Sequence, residues 1–158
     1  MNILILGSGI VGANLAQKLS EQGKNVFLID DNTEELKSLS DKFDIKTLTD
    51  DPLDPGFYKN FNQKINYFIA VTKSDEKNIL TCKFAKDFLK VDKTIARIRN
   101  QNLINEANDN SFKASNDFLD YVISPENEVA GNIFEKIHMP GAFFSEKLIS
   151  NQLSLVGL

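Results

Sequence analysis

Six residues near the N-terminus carry the strongest chemical signal in this sequence. Gly7-Ser8-Gly9-Ile10-Val11-Gly12 is a G-x-G-x-x-G run, the spacing that brings backbone amides against a pyrophosphate. Gly7 would permit a tight turn, Gly9 would let a phosphate approach the backbone, and Gly12 would let a helix pack closely on a strand. An anion held there meets the unpaired N–H groups and the dipole of a helix N-terminus. Taken alone, the run is also what a loop with chance glycines looks like.

Its setting points to a dinucleotide. Asp30 closes a second apolar run, where an acid accepts hydrogen bonds from ribose hydroxyls and repels a 2′-phosphate. The competing role is a helix N-cap, which Asp31, Asn32 or Thr33 can fill instead. Further on, Thr72 and Ser74 offer hydroxyl donors, and Asp75 either faces the same ligand or only caps the next helix. Arg97 and Arg99 share one face of a strand end, given the period of two. They pair either with phosphates or with acids such as Asp75 and Glu76.

The elements that must position these residues follow from periodicity. Asn2 to Leu6, Asn25 to Asp30, Ile45 to Leu48, Asn66 to Val71, Thr94 to Ile98 and Asp120 to Ile123 read as strands. Helical spacing runs from Ile10 to Gln22, Thr33 to Phe43, Phe57 to Phe61, Asp75 to Leu89, Leu103 to Asn108 and Glu126 to Ile137. The alternation predicts an α/β fold. It is a Rossmann-type, doubly wound parallel sheet of six strands with helices on both faces, followed by a C-terminal crossover helix. Three segments are expected: a nucleotide-binding domain over 1–124, the helix and turn over 125–141, and the start of a further lobe over 142–158. The alternating stretch from Asn151 to Leu158 reads as that lobe's opening strand. Val129, Ala130, Ile133, Phe134 and Ile137 form an apolar stripe. The stripe either packs back on its own sheet or needs a partner.

Composition removes several functions. A net charge of −4 argues against nucleic acid as a partner. No stretch approaches the apolar length of a membrane helix, so direct membrane insertion is not expected. One cysteine, Cys82, excludes an internal disulfide and suits a reducing compartment, with the residue itself reading as core. No cysteine or histidine spacing suggests a metal site. The only histidine, His138, lies far from the glycine run, so no acid or base stands ready for hydride transfer. No catalytic residue is assigned.

Taken together, these segments resemble the N-terminal nucleotide-binding domains of the TrkA family, the regulatory subunits of bacterial Trk potassium uptake systems. The likeness lies in MNILILGSGIVGANLAQKLSEQG, VFLID, KFDIKTLT, AVTKSDEKNILTCKFAK, TIARIRN, DYVISPE and the final PGAF turn. AVTKSDE, IARIR and VISPE in that order are more specific than the glycines. The resemblance implies a non-enzymatic domain that binds NAD(H), with ATP or ADP as alternatives. It implies cytoplasmic placement against the inner face of the membrane, through a membrane-embedded potassium transporter subunit, and a homodimer or higher oligomer. Gly7, Ser8, Gly9, Ile10, Val11 and Gly12 would form the phosphate loop, and Asp30 with Asp31 the ribose end. Thr72, Ser74 and Asp75 would line the second half, with Arg97 and Arg99 nearby. Two positions depart from the family. Leu48-Thr49-Asp50-Asp51-Pro52 replaces a glycine-rich turn, and Ile10 stands where ATP-selective relatives carry arginine. The second departure favours NAD(H). The other readings are the cofactor domain of a dehydrogenase without its substrate domain, and the regulatory domain of another ion transporter.

Overall fold

The computed structural model describes residues 1–108, 118–138, 144–148 and 153–157. The chain divides into two units, Met1–Ile123 and Ser124–Leu158.

Unit one holds six strands: β1 (Asn2–Leu6), β2 (Asn25–Asp30), β3 (Lys46–Thr49), β4 (Tyr67–Ala70), β5 (Lys93–Arg97) and β6 (Tyr121–Ile123). They form one sheet in the order β3-β2-β1-β4-β5-β6, and every pairing is parallel. The order reverses between β1 and β4, which is where open α/β sheets bind ligands.

The apolar runs make sense because both sheet faces are covered. Successive residues alternate between two cores. Leu4, Leu6, Phe27, Ile29, Phe68 and Ala70 face one; Ile3, Ile5, Val26, Leu28, Ile69 and Val71 face the other. Helices α1 (Ile10–Glu21) and α2 (Thr33–Ser40) cover the second core with Ala16 and Leu36. Helices α3 (Pro55–Asn60), α4 (Asp75–Phe84) and α5 (Gln101–Asn108) cover the first with Tyr58, Cys82 and Ile104. Burial pushes the Cys82 thiol far above its usual range, so it packs as a small hydrophobe.

Several bounds differ from the sequence expectation. α2 ends at Ser40 rather than Phe43. The chain continues in turns that keep Phe43 against the core. α3 begins at Pro55, not Phe57, because Asp54 accepts a hydrogen bond from Gly56 N–H at 2.8 Å and Pro55 suits the first helical position. The expected single helix from Asp75 to Leu89 changes winding at Ala85, where a π turn runs to Leu89. Lys90, at φ 53°, closes it in the left-handed region without a glycine.

Unit two contains α6 (Pro125–His138) and an antiparallel pair, β7 (Phe144–Leu148) with β8 (Leu153–Gly157). β8 matches the alternating C-terminal stretch, whereas β7 carried no expectation. The Met139-Pro140-Gly141 stop and the side chain of His138 lie outside the described residues. Among the described residues no helix is long and apolar enough to cross a membrane.

Candidate functional site

The glycine run forms the turn from β1 into α1, and the three glycines do different work. Gly7 sits at φ +108°, and a Cβ there would lie 3.2 Å from the Thr72 nitrogen. A Cβ on Gly12 would come within 1.8 Å of the Gly7 carbonyl oxygen, so only glycine lets α1 pack this close. A Cβ on Gly9 would meet nothing within 4 Å. The space above Gly9 is open, as a phosphate approaching the backbone requires. α1 also has no side-chain cap and no acid in its first turn, which leaves its first amides available to an anion. By contrast, Asn32 caps α2 and Ser74 caps α4 through their side chains.

A cleft of about 790 Å³ opens here. One wall comes from Leu6, Gly7, Gly9, Ile10, Val11, Asp30, Asp31, Asn32 and Glu35, with Pro52 at its rim. The other comes from Val71, Thr72, Lys73, Ser74, Lys77 and Arg97. The site straddles the switch point between β1 and β4.

Asp30 is the hinge of the first wall. One carboxylate oxygen accepts the Ser8 N–H at 2.6 Å and the other the Asn32 N–H at 3.0 Å. Burial pushes this carboxyl up, but the Ser8 and Asn32 amides outweigh burial and hold it below the ordinary carboxylate range. An ionised carboxylate has about four acceptor sites, so each oxygen keeps one for a ribose hydroxyl. The competing cap role falls to Asn32, whose side chain accepts the Glu35 N–H at 3.3 Å. Ser8 is buried behind the loop, and its hydroxyl donates to Glu35 at 3.0 Å. Ile10 stands 84% exposed at the cleft mouth, with no charge to offer a terminal phosphate.

The loop after β3 has no glycines, yet Pro52 reaches the cleft. Tyr58, 1% exposed, donates its hydroxyl to the Pro52 carbonyl at 2.9 Å and pins the loop there. Burial drives the Tyr58 phenol far above its usual range, which keeps that donor protonated.

On the second wall Thr72, Ser74 and Arg97 line the cleft. Asp75 and Arg99, also expected near a ligand, do not line the cleft. Asp75 is buried and accepts the Arg99 and Asn100 N–H groups at 2.9 and 2.8 Å. The Arg99 guanidinium returns to the Lys73 carbonyl, and its Nε lies 3.6 Å from Asp75. Beyond the end of β5 the strand period no longer governs direction, so Arg97 and Arg99 part. Gly12 is likewise behind the lining, as its packing role demands.

Four polar residues went unnoticed in the sequence. Lys73, in the loop before α4, and Lys77, in its first turn, line the second wall inside a segment noted for other members. Glu35 sits three positions after the Asn32 cap, the pattern of a capping box, but its carboxylate turns to Ser8 instead. Asn78, behind the second wall, gave no signal at all. Among the described residues no cluster of metal-ligating side chains is present.

With this geometry in view, the comparisons with known proteins are consistent. The TrkA-N domain family model matches residues 3–125. The Trk system potassium uptake protein TrkA of Haemophilus influenzae is 33% identical over 157 residues, which is 99% of this chain and 34% of that protein. The chain thus spans about a third of the length of the curated relatives it matches first. The TrkA-N domain of the Escherichia coli inner membrane protein ybaL superposes with a TM-score of 0.70 at 15% identity, covering 85% of this chain and 94% of that one. The GsuK channel bound to NAD gives 0.69 at 17% identity, over 94% and 25% of the two chains. GsuK bound to ADP gives 0.66 at 18%, over 86% and 33%. These structural likenesses establish the Rossmann-type fold, and the sequence matches establish the lineage: the chain belongs to the TrkA-N domain family.

Proposed function

We propose that the cleft binds NAD(H) as a regulatory ligand and that the chain is the N-terminal part of a cytoplasmic subunit controlling a membrane-embedded potassium uptake partner. The observation that carries this reading is the Asp30 carboxylate, held ionised at the end of β2 across from an uncapped glycine turn. That pairing suits a ribose diol and a pyrophosphate and disfavours a 2′-phosphate. The names of the TrkA relatives and the NAD-bound GsuK channel support the biological setting. In this reading the ligand acts by binding one conformation better than another, without turnover.

A second reading has its own support. Lys73 and Lys77 supply positive charge that suits the terminal phosphate of ADP or ATP. Calorimetric titration with NADH, NADPH, ADP and ATP in one buffer separates the readings. Equal affinity for NADH and NADPH would remove the role given to Asp30.

The chain also acts as a dimer in this proposal. Val129, Ile133 and Ile137 on α6 are 54–70% exposed, and an apolar helical face of that kind calls for a partner. Light scattering should return a dimer mass that Ile133→Asp lowers; a wild-type monomer at micromolar concentration refutes it.

A further inference from the structure

Asn78 is fully buried, lines no part of the cleft, and yet touches residues that do. It sits on the first turns of α4. Its Oδ1 accepts the Thr72 backbone N–H at 3.0 Å and the Thr72 hydroxyl at 2.7 Å. Its Nδ2 donates to the Thr72 carbonyl at 3.2 Å and the Arg97 carbonyl at 2.8 Å. A carboxamide offers two acceptor sites and two donors, and all four are used. The orientation is forced, because a flipped amide would set NH2 against the Thr72 N–H and its oxygen against two carbonyls.

The location matters as much as the count. The β4–β5 register ends at Ala70 opposite Ala96. Thr72 and Arg97 lie just past that end, and there Asn78 meets the Thr72 N–H and the Thr72 and Arg97 carbonyls. One side chain from α4 therefore ties together the ends of two strands, and each tied residue lines the basic wall. None of these four hydrogen bonds of Asn78 goes to the glycine turn, Asp30 or Glu35.

We propose that Asn78 is the positioning residue for the second half of the ligand: it fixes Thr72 and Arg97 relative to each other and leaves the adenosine half untouched. This rests on the dinucleotide reading of the cleft. The function follows from the geometry of the clamp. Loss of the Nδ2 donor frees the Arg97 strand end from Thr72, while the Oδ1 contacts hold only Thr72 to α4. Aspartate at this position keeps the acceptors, loses both donors, and sets a charge against two carbonyl oxygens.

The test is titration of the whole chain with NADH and with AMP, whose phosphate and ribose need only the glycine turn and Asp30. Asn78→Asp should lower NADH affinity about tenfold or more and leave AMP affinity within about twofold. Asn78→Ala, which removes the amide without adding charge, should show the same split and serves if the aspartate variant does not fold. Melting curves without ligand separate this from global destabilisation, since a merely structural residue would weaken both ligands together. An equal fall for NADH and AMP, or unchanged NADH affinity in a folded variant, overturns the proposal. A wild-type chain that does not bind NADH overturns the dinucleotide reading itself, a different and recognisable result.

Discussion

On the β1–β2 side the cleft presents backbone amides and three carboxylates, Asp30, Asp31 and Glu35; on the β4–β5 side it presents two ammonium groups and a guanidinium, Lys73, Lys77 and Arg97. The first wall is rigid by covalent economy. It is a tight turn in which Gly7 and Gly12 press against backbone, with Asp30 hydrogen-bonded to main-chain amides on both sides. The second wall is rigid by a side-chain network, centred on Asn78 and on the Asp75 contacts to Arg99 and Asn100. The difference teaches how each half should respond to change. The acidic wall fails through sterics and lost charge-assisted bonds. The basic wall fails gradually, because its charges, exposed at Lys73 and half-buried at Lys77 and Arg97, are partly screened and contribute little singly.

The largest effect is expected at Gly12. Gly12→Ala would place a methyl 1.8 Å from the Gly7 oxygen, forcing backbone movement that costs about 3 kcal/mol or more. The gain in helix propensity, about 1 kcal/mol, is too small to offset it. A urea midpoint equal to wild type would show that α1 and the turn are looser than the contact implies.

Asp30→Ala comes next. It should weaken NADH binding by about 1.5–3 kcal/mol, the range for hydrogen bonds to a charged group, and narrow the gap between NADH and NADPH. Calorimetry that finds the gap unchanged would move the discrimination to Asp31 or Glu35.

Lys77→Ala should have a smaller effect, about 0.5–1 kcal/mol, because a half-buried ammonium is partly screened. Its signature is a shallower dependence of affinity on salt. A loss larger than that of Asp30→Ala would reverse the ranking of the two walls and favour a polyphosphate ligand.

The smallest effect concerns pH. The folded-state pKa of Asp30 is depressed, so its contribution is complete above the unfolded value, about 3.9, and is lost as pH falls through the folded one. Affinity for NADH should therefore show no Asp30-linked step between about pH 5 and 8. A step in that range that disappears in Asp30→Asn would mean that burial, not the amide bonds, controls this carboxyl.

Much of this is legible in the sequence. The six strands and their helices could be read because a doubly covered parallel strand is apolar throughout and each helix shows its own period. Their ends shifted by a few residues where local bonds took over, as when Asp54 moved the start of α3. Gly7, Gly9, Gly12 and Asp30 were legible because the glycines act through their backbone and the Asp30 carboxylate meets backbone amides, all within one β-turn-α-β stretch of chain. Pro52 was not, since its place depends on a hydroxyl from Tyr58 on the following helix.

The glycine turn and the place of Asp30 are thus properties of local spacing, and spacing is written in the chain. Which polar residue of AVTKSDEKN would face a ligand is not. Asp75 and Lys77 are two positions apart on one helix, yet the first is buried against the amides of Arg99 and Asn100 while the second lines the cleft. Asn78, next along, binds a carbonyl 19 residues away in sequence. Such roles are fixed by how α4 docks across the ends of β4 and β5, because a buried polar group takes the direction of whichever partner satisfies it, and that partner comes from another part of the chain.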